Sequence, residues 1–194
     1  MVDKKRIILI LIAIGAILSV CGVVIAATVN IPDPNVYTGT IYVSTTGNDD
    51  SNGFTPKTSK KSIKKAVDNA PDGSTVLVAP GTYIEDTIHI DKKIKLIGSG
   101  QENTIIRSKG KTIRSVGYDV YVKGFTMRPQ KFSIFTPIIA VISGFITVED
   151  CTLLDFCGDE NLSFINGLNS GEIVMKRCTF VDHKSIFDYE RSLH

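Results

Sequence analysis

Ile94-Lys95-Leu96-Ile97-Gly98-Ser99-Gly100 has three later counterparts in the chain: Val120-Tyr121-Val122-Lys123-Gly124-Phe125-Thr126-Met127, Ile146-Thr147-Val148-Glu149-Asp150-Cys151-Thr152-Leu153 and Ile173-Val174-Met175-Lys176-Arg177-Cys178-Thr179-Phe180. The copies start at 94, 120, 146 and 173, so they are separated by 26, 26 and 27 residues. Apolar residues fill the first and third places each time, and Thr fills the seventh place in the last three. A period of this length, rich in β-branched residues, is too short for two-helix repeats and fits one coil of a parallel β-solenoid. In such a coil alternate residues face a shared interior, and equivalent residues of successive coils stack about 4.8 Å apart. The spacing therefore predicts one interior column of Phe125, Cys151 and Cys178 and a second of Met127, Leu153 and Phe180. Cysteine in such a column acts as a small core hydrophobe. A Cys151–Cys178 disulfide is the alternative, if the geometry suits it.

Upstream of the repeat, short apolar alternations at Val76-Leu77-Val78, Ile88-His89-Ile90 and Ile105-Ile106 read as further strands. His89 then points outward between two inward isoleucines, and Tyr121 does the same between Val120 and Val122. Before Pro71-Asp72-Gly73, the stretch Ser62 to Ala70 carries Ile63, Ala66, Val67 and Ala70 at helical spacing. Lys60, Lys61, Lys64 and Lys65 read as the wet side of that helix. Gly47 to Gly53 reads as a loop, after a strand at Ile41-Tyr42-Val43.

The N-terminus has a different character. Lys4, Lys5 and Arg6 precede 21 uncharged residues, Ile7 to Ala27, long enough at about 1.5 Å per residue to cross a hydrocarbon layer of roughly 30 Å. The expectation is an uncleaved signal anchor, with a cleaved signal peptide as the alternative, the cytoplasmic residues 1–6 before it and the main domain outside the cell membrane. A cleaved signal would make the domain secreted. Residues 28–39, with Pro32 and Pro34, read as a linker, and residues 40–194 as the β-helix domain, with a cap over 40–74 and coils over 75–194.

The formal charge of +2 belongs to Lys4, Lys5, Arg6 and Asp3, so the remainder is neutral and nucleic acid is not an expected partner. No nucleophile elbow, phosphate-binding glycine loop or zinc spacing is present.

The order Tyr42-Val43-Ser44, Gly47-Asn48-Asp49, Gly53, Pro56, Ser62-Ile63, Ala66-Val67, Asp72-Gly73, Val76-Leu77-Val78 and Pro80-Gly81-Thr82-Tyr83 resembles the N-terminal cap and first coil of right-handed parallel β-helix proteins of the pectin-lyase-like superfamily. It is most similar to their adhesin-like microbial surface proteins. The resemblance implies an all-β, right-handed parallel β-helix with the helix at Ser62 to Ala70 closing one end. It implies no single function, because this fold carries both enzymes and adhesins. No terminal cap is read between Ser185 and His194, which suggests the N-terminal portion of a longer surface protein.

Three sets of residues are candidates for chemistry. Asp155 and Asp182 each lie four places after a column cysteine, which suits them to acid/base work on a glycosidic bond, with His183 beside them as a proton donor. Asn48, Asp50 and Asn52 imitate the first half of a calcium loop, but Ser59 stands where a bidentate Glu is required. Calcium is accordingly the one cofactor candidate, with none as the preferred reading. Tyr121 is the candidate glycan contact. The function expected is a non-catalytic cell-surface adhesin-like or structural module contacting polysaccharide. The alternatives are an extracytoplasmic polysaccharide lyase or glycoside hydrolase, and a stalk for a further C-terminal domain.

Overall fold

A computed structural model describes residues 39–130, 137–156, 165–167 and 171–182, with the backbone alone at 155–156, 165–167 and 182. The apolar run at 7–27 expected to be an anchor, the expected linker up to residue 38, and His183 lie outside the described residues, as do Cys157 and Asn161-Leu162-Ser163, a sequence match to a glycosylation acceptor. Among the described residues no helix is long and apolar enough to cross a membrane.

Thirteen strands, one short α-helix and a 3-10 turn at Pro56–Thr58 are described, and every strand pairing is parallel. The strands are β1 (Thr40–Val43), β2 (Ser74–Val78), β3 (Gly81–Glu85), β4 (Ile88–Ile90), β5 (Ile94–Gly98), β6 (Thr104–Ser108) and β7 (Ile113–Lys123). They continue with β8 (Thr126–Pro129), β9 (Ile139–Glu149), β10 (Thr152–Phe156), β11 (Ile165–Gly167), β12 (Glu172–Lys176) and β13 (Thr179–Asp182), and the helix is α1 (Ile63–Asn69). Because β7 and β9 turn a corner and contribute a segment to each of two faces, the pairings form three ladders. The first runs β1, β2, β5, the second halves of β7 and β9, then β12. The second runs β3, β6, β8, β10, β13, and the third β4, the first halves of β7 and β9, then β11. Chain order visits the three ladders in rotation, which makes the molecule a parallel β-solenoid of about three turns with roughly 26 residues per turn.

Alternation fills the interior. In the first ladder Ile41, Val76, Leu96, Val122 and Val148 stack as register partners and are all buried. Tyr83, Ile106, Met127 and Leu153 do so in the second, and Ile88, Ile113 and Ile139 in the third. Phe125 and Cys151 are buried as their column predicts, and Cys178 packs partly buried against the core. Cys151 and Cys178 are free thiols. Phe180 departs from the expectation: it follows Leu153 in register but is 45 % exposed, because β13 ends its ladder among the described residues.

The repeat extends further back than the sequence motif. Val76 pairs with Leu96, so β2 is already part of a coil, but that step is 20 residues instead of 26. The first coil saves residues at its corners: Val78 to Gly81 becomes Gly98 to Thr104 one turn later, and Glu85 to Ile88 becomes Ser108 to Ile113.

Among the described residues, α1 packs against β1, β2, β3 and β4. Ile63, Ala66 and Val67 of α1 are buried, and Ser62 caps the helix by accepting from the Lys65 N–H at 3.3 Å. The outer edge of β1 is occupied by loop backbone: Tyr42 N–H donates to Gly53 O (2.7 Å), Ser44 N–H to Lys60 O and Lys60 N–H to Tyr42 O (2.9 Å each). That leaves no open strand edge there. Lys60 corrects the sequence expectation, being buried rather than on the wet side of the helix.

Candidate functional site

Among the described residues, the largest cluster of interacting charges lies where the first ladder turns into the second. That corner is two residues long in three successive coils: Gly124-Phe125, Asp150-Cys151 and Arg177-Cys178. The first residue is left-handed each time, with φ of 77°, 49° and 51°. Glycine adopts this backbone freely, aspartate less so, and arginine only with something to hold it. Here the holding groups come from neighbouring coils. Arg177 Nε donates to Asp150 Oδ1 (2.6 Å) and Nη2 to Asp150 Oδ2 (3.1 Å), while Nη2 also reaches Glu149 Oε1. From the coil on the other side, Lys123 Nζ lies 2.9 Å from Glu149 Oε1 and 3.1 Å from Asp150 Oδ2. Tyr121 lies beside the group, close enough to Glu149 for the two to shift one another's titration.

These contacts fix the protonation of the group. The Arg177 and Lys123 hydrogen bonds hold Asp150 down to about 2, and Lys123, with Arg177 and Tyr121 behind it, holds Glu149 below the usual carboxylate range against partial desolvation. Lys123 and Arg177 are pushed up by the same two carboxylates, and Tyr121 is raised by burial and by Glu149. Two cations face two anions, and none of the four titrates near neutral pH. The four side chains form an ion-paired clasp across three coils. Tyr121 is half-buried at its rim. The sequence signal was available: the fourth and fifth places of the repeat read Ile-Gly, Lys-Gly, Glu-Asp and Lys-Arg, opposite charges at coil spacing.

No protein family matches the chain, and neither a curated protein nor a solved structure does.

A second polar centre joins the cap to the first coil. Asp49 accepts from Lys61 N–H (2.9 Å), Ser62 N–H (2.8 Å) and Ser62 Oγ (3.0 Å), and Glu85 accepts from Ile63 N–H (2.6 Å) and Lys64 N–H (3.3 Å). Two carboxylates thus satisfy four successive backbone donors at the start of α1. Burial opposes the Asp49 charge, but the bonds from Ser62 and Lys61 and the nearby Lys60 outweigh it, and its carboxyl sits below the ordinary value. Glu85 is raised, chiefly by burial and further by the nearby Asp49 and Asp86 charges, against the bonds from Ile63 and Lys64 N–H, which lower it. Tyr83, whose hydroxyl donates to Ala79 O at 2.7 Å, is pushed up to about 12 by burial and by Glu85. A cleft of about 350 Å³ is lined by these groups together with Thr45, Thr82 and Ile84.

The partial calcium motif sits in the adjoining loop. Asn48 Oδ1 accepts from Asp50 N–H and Asn52 Oδ1 from Phe54 N–H, each at 3.0 Å, so both amides brace local turns. The carbonyls of Asp49 and Ser51 accept from the buried Lys60 ammonium at 3.0 and 2.8 Å. This protein-borne cation is what the loop folds around. Among the described residues no group of three or more His, Cys, Asp or Glu is placed to hold a metal ion.

Asp155 and Asp182 stand on β10 and β13. Leu154 pairs with Val181, the register then shifts, and Asp182 pairs with Phe156. The two aspartates are not register partners, and their side chains lie outside the described residues. An apolar groove of about 240 Å³ runs over the outer side of the first ladder between Tyr42, Leu77, Ile97 and Pro56, with Ser44, Ser59 and Ser99 around it.

Proposed function

We propose that this protein is a non-catalytic, adhesin-like or structural surface module whose outer first-ladder face, around Tyr121, contacts polysaccharide. The observation that supports this reading is the clasp: the charged side chains drawn together on that face neutralise one another and sit far from neutral pKa values. A lyase or hydrolase needs convergent groups left ready to exchange protons. The parallel solenoid agrees with the resemblance to right-handed β-helices of the pectin-lyase-like superfamily, and right-handed crossovers are the general rule for parallel strands. The apolar run at 7–27 supports attachment to the cell membrane with the solenoid outside.

The experiment is to present the full chain, in detergent, to a panel of polyuronides and neutral glycans with and without calcium, reading both retention and turnover. Retention without turnover, weakened by Tyr121→Ala, is the expected result. Turnover that disappears in Asp155→Ala/Asp182→Ala would replace this reading with the carbohydrate-active enzyme.

A further inference from the structure

Cys151 and Cys178 hold the same place in consecutive coils. Their flanking residues Thr152 and Thr179 are register partners, and Thr179 N–H donates to Cys151 O at 2.9 Å. Neighbouring strands lie about 4.8 Å apart, which falls within the Cα separation of about 4.4–6.8 Å that a disulfide spans. Both side chains turn toward the interior. Cys151 is fully buried with its Sγ 3.2 Å from Glu149 O, and Cys178 is partly buried with its Sγ 3.5 Å from Val148 O and from Lys176 O. Both thiols touch backbone of the middle coil, at Glu149 and Val148, while Cys151 Sγ also accepts from Phe125 N–H at 3.5 Å one coil earlier, and they are close enough for a charge on Cys178 to oppose ionisation of Cys151.

We propose that Cys151 and Cys178 form a redox-closable staple, oxidised by a small-molecule or protein disulfide donor, that ties β12 and β13 covalently to the coil before them. Cys178, the more accessible thiol, gives up its proton and attacks the donor disulfide, releasing one donor thiolate and forming a mixed disulfide. Cys151 then loses its proton and displaces the second donor thiolate, so two cysteine thiols and one donor disulfide become one protein disulfide and two donor thiols. Burial pushes the Cys151 thiol up to about 12, which makes the second displacement the slow one. The closed loop spans Cys151 to Cys178 and restrains the unfolded chain as well as the folded end.

The test uses oxidised glutathione as donor on the full chain carrying Cys21→Ser and Cys157→Ser, followed by denaturation, alkylation and peptide mass mapping. The expected product lacks two hydrogens, contains one linked peptide pair spanning Cys151 and Cys178, resists alkylation until a reductant is added, and melts several degrees higher than the reduced chain. In the added Cys178→Ser variant Cys151 stays alkylatable. A glutathione adduct that persists on Cys178, or both thiols alkylated after prolonged oxidation of folded protein, would overturn the proposal. The same mapping on the unsubstituted chain gives the answer should the substituted one fail to fold, since a Cys157 linkage would appear there as a different peptide pair.

Discussion

At the corner between the first two ladders a single backbone position carries Gly124, Asp150 and Arg177 with the same left-handed φ. Glycine is at ease there, whereas Arg177 depends on its bidentate grip on Asp150. Exposed ion pairs contribute little on their own, so removing the side chain and removing the strain can be separated. Arg177→Gly is expected to melt about 2–4 °C above Arg177→Ala, since both lose the clasp but only glycine escapes the strained backbone; equal melting of the two would contradict this. Asp150 has a folded pKa below its unfolded one, so the clasp contributes stability above the ordinary aspartate value and loses it as the pH falls toward about 2. A carboxyl carbon titration by NMR should place the Asp150 midpoint near 2 and move it up toward 3.8 in Arg177→Ala. Sequence reasoning found the column residues at this corner but not the charges beside them. The apolar pattern reports which residues face inward, whereas the clasp is written in the outward places of the same repeat, where Lys123, then Glu149 and Asp150, then Arg177 follow one another at coil spacing.

The cap shows the same division at the level of an element. Helical spacing in Ile63, Ala66 and Val67 located α1, and Ser62 before it marked the start. Replacing Ser62 by Ala removes both the cap to Lys65 N–H and a bond to Asp49, and should cost about 1 kcal/mol in a denaturant titration. The contribution of Glu85 was not legible, because it lies 22 residues after the donor it satisfies. Its folded pKa is raised, so its effect on stability is most favourable below the ordinary glutamate value and declines as the pH rises through the folded one. Glu85→Gln should flatten that decline, and melting curves of both forms between pH 4 and 7 would show it. Lys60 escaped notice for a related reason. A lysine next to three others reads as solvated, and only the loop geometry shows carbonyls of Asp49 and Ser51 converging on its ammonium.

For the whole molecule, stability rests on continuous stacks rather than on one centre, since each coil buries its inward residues only against its neighbours. Leu96 lies between Val76 and Val122 with no exposure, and Leu96→Ala should cost roughly 2–5 kcal/mol in chemical unfolding. The 26-residue period made the solenoid legible because three successive steps keep it. It does not reach the first coil, whose step from Val76 to Leu96 is 20 and which strand alternation and the resemblance located instead, and it hid the first halves of β7 and β9, whose Ser115, Gly117 and Gly144 interrupt the apolar alternation. A parallel ladder of fixed offset is the most direct consequence of this architecture. In an isotope-labelled full chain, amide-to-α-proton contacts between strands should join residues near Leu96 to those near Val122, and residues near Val122 to those near Val148, always about 26 apart. Contacts between paired α-protons, with an offset that changes from residue to residue, would mean antiparallel pairing and contradict the solenoid.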